Sequence, residues 1–309
     1  MKGQSSGAER GVVLLNALIM VAVISFVAVM LLQKAEASRN RLFMGQTSTQ
    51  TALYLDAFEA LVAVRLTRDS LQSERDHLNE AWAKPIKDAS LDRGQISGTI
   101  ADMQGKFNVN WLASEEDTEA KAAFSALLAR LGVSPTTAVN IVGFLSREGP
   151  ANAKAYTRRA YPVRPVGGPI QMLDQLRSVP GVSDKIFDRI SQNVTAVPAG
   201  RRLNVNTVSA GVLLAFYPKS DFGSVSELLA RRRLKPFDSV DEYTLAARKV
   251  LGEAAVRNVE STRFTVSSRW FEAHISATLG QTTLARRAIF FRTERGGKAQ
   301  VVYRLAVGR

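Results

Sequence analysis

The sequence predicts an α+β protein, in which a long N-terminal helix packs on an antiparallel sheet and a large all-α domain of two small helical units is inserted. Three observations predict this class. An apolar N-terminal segment runs without a break into an amphipathic helical pattern. Alternating polar and apolar residues occur near residue 100 and after residue 260. The region between them is rich in helix-capping residues. The predicted boundaries are a polar leader at 1–11, a membrane-spanning helix at 12–32, the rest of the long helix with the first strands at 33–110, the helical insertion at 111–260 and a closing β-meander at 261–309.

The N-terminal apolar segment has the length and composition of a transmembrane helix. From Val12 to Leu32 it contains no charged residue, Gly or Pro, and Asn16 is one of its few polar residues. At helical rise it spans roughly 30 Å, about the thickness of the hydrocarbon core of a bilayer. Lys2 and Arg10 precede it and predict a cytoplasmic N-terminus by the positive-inside rule, although basic residues soon after the segment weaken this signal.

The helical pattern continues beyond the apolar segment to about His77. Five apolar residues recur there at helical spacing: Leu53, Ala57, Ala60, Leu61 and Val64. We therefore expect one long helix, whose first third lies in the membrane and whose remainder stands outside it.

Two regions have the composition of strands. Ile96, Thr99 and Ile100 precede a turn at Gln104-Gly105. Near the C-terminus, residues 263–279, 282–293 and 299–308 alternate between polar and apolar residues, with turns expected at Gly280 and Gly296-Gly297. These last three segments predict an antiparallel meander with one apolar face, which the long helix could cover.

The phrase Asn-Val-Asn occurs twice, at 108–110 and at 204–206, each time after an apolar residue. Segments with helix-capping residues follow each copy. The predicted caps are Ser114 with Asp117 three residues later, Ser134 before Pro135, Ser209, Ser224 or Ser226, and Ser239. Asn suits such entries because its side chain bonds nearby backbone groups. We interpret the phrases as entries to two duplicated helical units, with chance recurrence as the alternative.

A Pro- and Gly-rich stretch at 149–171 separates the two units and predicts a loop or linker. Residues 172–194 then predict two more helices, joined by Pro180-Gly181.

Composition excludes several kinds of chemistry. The chain has 309 residues and no cysteine, which rules out disulfides, thiolate metal sites and cysteine nucleophiles. It contains no phosphate-binding loop, dinucleotide fingerprint or His-rich metal pattern, and its two histidines, His77 and His274, are interpreted as surface or strand residues. The net charge of +13 favours anionic partners, but the basic residues are dispersed, as on an ordinary solvated surface. We expect no enzymatic activity.

The N-terminus resembles the signal of type IV pilin-like proteins: a short polar leader that ends in Gly, followed by an uninterrupted apolar helix. The resemblance implies that a prepilin peptidase cuts after Gly11 and that Val12 becomes the N-methylated first residue. The fifth mature residue is then Asn16, where major pilins carry Glu. Lack of this carboxylate resembles the minor pseudopilin K family of type II secretion systems.

Two further motifs resemble the same K family and extend the resemblance over nearly the whole chain. The first is I-x-G-x-I-x-D-x-x-G-x-F-N-x-N, matched by Gly98, Asp102, Gly105, Phe107, Asn108 and Asn110. The second is L-N-x-N-T, matched by Leu203, Asn204, Asn206 and Thr207. The resemblance implies a pilin-like α+β fold with an inserted α-domain of two units similar to sterile-alpha-motif bundles.

The K family's calcium site does not transfer to this sequence. Family members carry an acidic stretch after the first helical unit, where this chain has GFLSREGPANAKAY with Glu148 as its one acidic residue, next to Arg147. Calcium needs several oxygen ligands, most of them carboxylates. We therefore expect no cofactor and a divergent member of the family.

The resemblance implies a structural function. The chain would initiate or cap the periplasmic pseudopilus of a type II secretion system, which exports folded proteins across the outer membrane. Its partners would be the other minor pseudopilins of a tip complex, the prepilin peptidase, the inner-membrane secretion platform and membrane lipid. It would be a single-pass inner-membrane protein with a cytoplasmic N-terminus and a periplasmic bulk, extracted into the pseudopilus on assembly.

Three alternatives remain at the level of sequence. Residues 176–190 resemble a DNA-binding helix-hairpin-helix on a membrane anchor, but the hairpin has a single Gly at Gly181, and Asp174, Asp184 and Asp188 are poorly placed near phosphate. The chain could also serve a type IV pilus or competence system. The plainest alternative is a bitopic membrane protein with a soluble α+β domain and no processing.

Overall fold

The computed structural model describes residues 6–158, 162–257, 259–293 and 297–306, with side chains from residue 12 to residue 305. Its first element, α1, is a single helix at Ser6–Gln72. An 18-residue window in this helix has a mean hydropathy of 2.9, long and apolar enough to cross a membrane. The helix ends at Gln72 rather than near His77, because residues 73–80 turn back along the molecule with Asp76 N–H bonded to Val266 O.

The other elements follow in chain order. The strands are β1 (Ile86–Leu91), β2 (Gly94–Asp102), β3 (Phe107–Asn108), β4 (Val194–Thr195), β5 (Leu203–Asn204), β6 (Phe264–Thr265), β7 (Trp270–Leu279), β8 (Thr282–Arg292) and β9 (Ala299–Ala306). The helices after α1 are α2 (Thr118–Arg130), α3 (Pro135–Leu145), α4 (Lys154–Thr157), α5 (Asp184–Ser191), α6 (Ala210–Phe216), α7 (Phe222–Leu234), α8 (Val240–Leu251) and α9 (Glu253–Val256).

The early and late strands form one antiparallel sheet of order β1-β2-β7-β8-β9. The predicted meander is thus extended by the early hairpin, whose β2 pairs with β7 along its whole length, from Gln95 opposite Thr278 to Asp102 opposite Phe271. The predicted turn at Gly280 is confirmed, with φ of 58°. Of the second predicted turn, Gly296 lies outside the described residues, while β8 and β9 on either side pair as expected.

The alternation in residues 263–279 predicts a single strand, but this segment forms two strands. Phe264–Thr265 forms the short strand β6, which runs parallel to β5 in the helical region. The sheet strand β7 begins only at Trp270. Alternation within the segment cannot show this division, because it does not reveal that β6 pairs with β5 while β7 pairs with β2 and β8 in the larger sheet.

One face of α1 packs on the sheet. Its buried residues Leu55, Phe58, Val62 and Leu66 form a core with residues of β2, β7 and β8 such as Ile100, Ala273 and Phe290. The five apolar residues that the helical spacing singled out lie on the opposite, exposed face. The helix therefore carries two apolar faces, and the sequence pattern detects the one that the sheet does not cover.

The inserted region is mainly helical, and a second core runs from Phe107 to Phe264 through it. The phrases at 108–110 and 204–206 each follow a two-residue strand in a parallel pair, β3 with β4 and β5 with β6. An aromatic cluster around Phe107 links the two helical units: its ring centroid lies 5.1 Å from that of Trp111 and 5.9 Å from that of Phe216.

The predicted helix caps are confirmed at Ser134, Ser209 and Ser239, each of which accepts a backbone N–H three residues later. Two caps were predicted wrongly. Asp117, not Ser114, caps α2. Asp221, not Ser224 or Ser226, caps α7, which makes that helix longer than predicted. In both cases a nearby carboxylate accepts the bond, which also places negative charge at the helix N-terminus.

The linker at 149–171 contains the short helix α4, whose Tyr156 is fully buried and donates a hydrogen bond to Asn140 O at 2.8 Å. In the next segment, the first of the two predicted helices is a 3₁₀ helix at Leu173–Ser178 and the second is α5.

Candidate functional site: an assembly helix and a polar junction

The outer face of α1, defined here by Leu53, Ala57, Ala60, Leu61, Val64 and Leu71, is exposed along the part of the helix that follows the apolar segment. Spacings of three, four and seven residues place these side chains on one side of a helix. Val64 is 62% exposed and Leu71 is 64% exposed. An exposed apolar face of this kind on a protein surface is typical of a contact surface for another protein.

The predicted processing site lies at the start of α1. Gly11 is helical, and Val12 and Asn16 are exposed. From residue 12 to residue 46 every side chain of the helix is exposed, so this segment makes no stable contact with the remainder of the described chain. Residues from about 47 onward therefore hold both cores without support from the apolar segment.

The first Asn-Val-Asn phrase ties two distant segments together. Asn108 Oδ1 accepts the N–H of Asn110 at 3.2 Å and that of Val197 at 3.3 Å. Asn110 bonds both backbone groups of Ile170: its Oδ1 accepts from Ile170 N at 2.8 Å and its Nδ2 donates to Ile170 O at 2.9 Å. Both asparagines are buried and satisfied, as buried polar groups require.

The second phrase repeats this arrangement. Asn204 Oδ1 accepts the N–H of Asn206 at 2.9 Å. Asn206 bonds both backbone groups of Phe237, accepting from its N–H at 2.9 Å and donating to its O at 3.0 Å. The same bonding pattern in both units explains why the phrase occurs twice: each copy fixes the chain that returns from its own helices. Buried Arg232 adds to the second unit by donating to Val205 O and Val208 O, both at 2.8 Å.

Asp102 joins the sheet to the second phrase. At the end of β2, its Oδ2 accepts from Thr207 Oγ1 at 2.5 Å, Ser268 Oγ at 2.6 Å and Asn204 Nδ2 at 3.1 Å. Its Oδ1 accepts the N–H of Gln104 at 2.7 Å. Burial raises the pKa of Asp102, and these hydrogen bonds oppose the rise. The carboxyl therefore acts as a fixed acceptor at the centre of a junction between the two cores.

Close backbone packing at the junction requires glycine at position 105. A Cβ there would lie 2.7 Å from Thr207 Oγ1 and 3.0 Å from the Thr207 carbonyl carbon. The predicted motif residues Asp102, Gly105, Asn204 and Thr207 are thus brought together, whereas Phe107, Asn108 and Asn110 lie in the first helical unit.

The other half of the junction consists of Arg292 and Asp76, which were not among the predicted site residues. Arg292, at the end of β8, donates to both carboxylate oxygens of Asp76 at 2.6 and 2.7 Å and to Ser268 O at 2.8 Å. The Asp76 carbonyl accepts from Asn204 Nδ2 at 3.0 Å. Burial raises the pKa of Asp76 to about 7, although Arg292 lowers it. One signal was available: an Arg at an inward position of an apolar strand indicates a buried ionic partner.

The oxygen ligands available in the loop after α3 decide whether a calcium ion would fit there. In the loop after α3, Glu148 is the one carboxylate, and Ser146 Oγ is bonded to Glu115 Oε1 at 2.5 Å. These residues do not fit a calcium ion, which needs several convergent oxygens. Elsewhere among the described residues, Asp69, Asp76 and Glu80 lie close together. Arg292 contacts both aspartates there, and Glu80 accepts from Trp82 Nε1.

The hairpin that resembles a DNA-binding motif is occupied by internal contacts. Asn140 Nδ2 donates to Pro180 O at 2.9 Å. Gly181 has φ of 89°, and a Cβ there would lie 2.6 Å from Thr137 Oγ1. Gly181 therefore allows the hairpin to pack closely against α3.

Comparison with known proteins finds similarity to one family. Residues 105–199 match the family described as "Type II secretion system (T2SS), protein K". The chain is 26% identical to the type II secretion system protein K of Pseudomonas aeruginosa, over 94% of this chain and 90% of that protein. It is also 26% identical to the Klebsiella pneumoniae protein of the same name, over 91% of this chain and 92% of that protein.

The fold is that of a solved structure. The crystal structure of the GspK-GspI-GspJ complex from the type 2 secretion system of enterotoxigenic Escherichia coli contains a chain that superposes with a TM-score of 0.75. That match covers 87% of this chain and all of the other, at 22% sequence identity.

An N-terminal helix that is apolar enough to anchor the chain in a membrane, packs one face on an antiparallel sheet and exposes an apolar outer face defines the pilin-like class of subunit. Within that class, the chain is similar to the type II secretion system protein K family, and the match in residues 105–199 together with relatives aligned over more than 90% of its length supports a minor pseudopilin of type II secretion. The family is a structural one. The comparisons do not support the DNA-binding, type IV pilus or competence alternatives.

Proposed function

We propose that this minor pseudopilin initiates or caps the periplasmic pseudopilus, and that it does so through lateral contacts of α1 with partner minor pseudopilins. The observation that carries the proposal is the apolar outer face of α1, which stays exposed although the opposite face fills the core with the sheet. Burying such a face against partner helices is favourable by about 25 cal/mol per Å² of apolar surface. The solved complex of GspK with GspI and GspJ supports other minor pseudopilins as the partners.

The position of the inserted helical region, residues 111–260 and called the helical body from here on, supports a capping role. Residues 73–80, directly after the membrane-distal end of α1, are bonded to the body: Asn79 Nδ2 donates to Arg233 O at 3.0 Å, and Arg75 forms an ion pair with Asp238. Asn204 Nδ2 reaches Asp76 O in the same segment. A body fixed at this end would occupy the space above the subunit, so that no further subunit could be added there.

Delivery to the pseudopilus would require processing of the N-terminus. The prepilin peptidase would cut after Gly11 and leave an N-methylated Val12. Asn16 then lies where a carboxylate would pair with the neighbouring subunit's N-terminus. Because an amide carries no charge, this subunit would not form that pair, which agrees with a place at the end of the filament. Before assembly the chain would sit in the inner membrane with a cytoplasmic N-terminus, in contact with lipid and the secretion platform.

We infer that the chain works without calcium and without enzymatic activity of its own. The support is the donor set of the loop after α3, which has a single carboxylate. Melting of the purified chain in EDTA and in millimolar calcium chloride should therefore give the same midpoint. A midpoint several degrees higher in calcium would contradict this inference, since a bound ion stabilises the folded state.

Labelling of extended pseudopili tests the capping role. Overproduction of the main filament subunit should yield pili long enough for electron microscopy, and an epitope inserted at Gly200, an exposed loop residue with open space around it, should bind gold-labelled antibody. We expect label at one end of each pilus. Label distributed along the shaft would show that the chain is an ordinary filament subunit.

A further inference from the structure

A cleft of about 190 Å³ lies where the helical body meets the sheet. Its sheet wall includes Glu272, His274 and Arg287. Side chains alternate between the faces of a strand, and the intervening Ala273 and Ile275 lie in the core with α1. The cleft is therefore on the sheet face opposite α1, away from the proposed lateral contacts.

Basic groups in the cleft outnumber the one carboxylate that lines it. Glu272 Oε1 lies 3.3 Å from Arg287 Nε, and its Oε2 lies 3.5 Å from His274 Nε2 and 3.9 Å from Lys106 Nζ. Although burial raises it, these three neighbours hold the pKa of Glu272 below its usual value. Asp174, outside the cleft, accepts a hydrogen bond from Arg287, with Nη2 and Oδ2 2.5 Å apart. Both carboxylates thus pair with Arg287. Among the described residues, Lys106 Nζ has one acceptor within hydrogen-bond distance, Ser191 O at 3.0 Å, with Glu272 farther away.

A buried hydroxyl in the same wall has no partner. Thr195 is 2% exposed and lines the cleft from β4, and its Oγ1 makes no hydrogen bond within the described part of the chain. Buried hydroxyls are almost always satisfied, because an unsatisfied one costs free energy. Because Thr195 lines the cleft, rotation of its side chain about χ1 would offer this hydroxyl to a ligand group there.

We propose that the cleft binds a single carboxylate on a short aliphatic stem. Lys106 and the Thr195 hydroxyl are donors that a carboxylate accepts from, and charge-assisted bonds of this kind are the strong ones. The apolar side chains of Leu173, Val194 and Ile289 line the same space and suit the stem. Two sources share this chemistry: an acidic side chain of another protein and a small free carboxylate.

Histidine NMR on the full chain in detergent tests the site, because the chain has two histidines and one of them lines the cleft. The probes are N-acetyl-glutamate α-amide for a protein side chain and propionate for a free acid, with N-acetyl-glutamine α-amide as the neutral control. We expect a carboxylate probe to shift the His274 signal saturably and to leave the His77 signal unchanged. Saturation by the amino-acid probe alone assigns a protein partner, whereas saturation by both assigns any short carboxylate. The absence of a saturable shift, or an equal shift by the neutral amide, overturns the proposal.

Two variants separate binding from structure. Lys106→Met should weaken binding of the probe about tenfold or more, the effect of losing a charge-assisted bond. Thr195→Val should also weaken binding, while the melting temperature of the ligand-free chain stays the same or rises, because an unsatisfied buried hydroxyl is removed. Unchanged affinity in both variants would overturn the proposal, since a purely structural hydroxyl would alter melting alone.

Discussion

Replacing Arg292 with Met should lower the free energy of unfolding by about 3–5 kcal/mol at pH 8, because Asp76 must either stay ionised without its cation or take up a proton, and the buried Ser268 O loses its donor. The side chain of Asp76 is 1% exposed and that of Arg292 is 6% exposed, so solvent cannot replace the missing partner. The guanidinium also lies 4.9 Å from the centroid of the Phe271 ring, and this contact is lost as well. Denaturant unfolding of residues 36–309 measures the change, since the removed part of α1 makes no stable contact.

The loss should depend on pH. The folded-state pKa of Asp76, about 7, lies above the value near 3.8 of an unfolded aspartate. Stability from this group is therefore present at low pH and is lost as the pH rises through the folded-state value. Without Arg292 that value rises further, so the penalty of Arg292→Met should shrink between pH 8 and pH 5.5.

Two further variants serve as controls for the junction. Arg292→Met combined with Asp76→Asn should recover part of the lost stability, because the more deeply buried of the two aspartates that contact Arg292 is then neutral. Arg231→Met removes an exposed pair with Glu227 and should cost about 0.5 kcal/mol or less. Equal effects of Arg292→Met and Arg231→Met would mean that the junction does not hold the two cores together.

Replacing Val64 with Arg should abolish type II secretion without unfolding the protein. Val64 is 62% exposed in the free chain, so its stability should change by about 0.5 kcal/mol or less. In an assembled filament the same position would be buried against a partner helix. An uncompensated buried charge costs at least about 3 kcal/mol, which is roughly a hundredfold in the binding constant.

The measurement is the amount of a type II substrate in the culture medium of a strain that produces the variant as its sole copy. Leu245→Arg is the matched control, because Leu245 is 71% exposed on α8, within the helical body. We expect the substrate to remain in the periplasm with Val64→Arg and to be exported normally with Leu245→Arg. Normal export with both variants would exclude the outer face of α1 as a contact surface.

Local patterns in the sequence predict much of the fold. The uninterrupted run from Val12 to Leu32 predicts the anchor, and alternation predicts the late strands, because these features depend on neighbours within a few residues. The residue that caps each helix was harder to predict from local sequence. Ser114 and Asp117 both suit a helix N-terminus, and the ion pair of Asp117 with Arg263, at 2.8 Å, comes from another part of the chain.

The partners of polar side chains across the molecule could not be predicted. Asp102 and Asn204 were identified as motif residues, yet nothing in the sequence shows that they bond each other or that Ser268 and Arg292 complete the junction. These contacts follow from the pairing of β2 with β7, two strands that lie far apart in the chain. The same limit applied to α1, where the helical spacing identified the exposed apolar face and missed the face that the sheet covers.

Mass spectrometry of the N-terminal peptide from the native host's membranes tests most directly whether the chain is an assembling subunit. We expect a peptide that begins at N-methylated Val12, because only a processed chain would enter a filament. An intact N-terminus at Met1 or Lys2, in cells with an active prepilin peptidase, would make α1 a permanent anchor and would contradict a place in the pseudopilus.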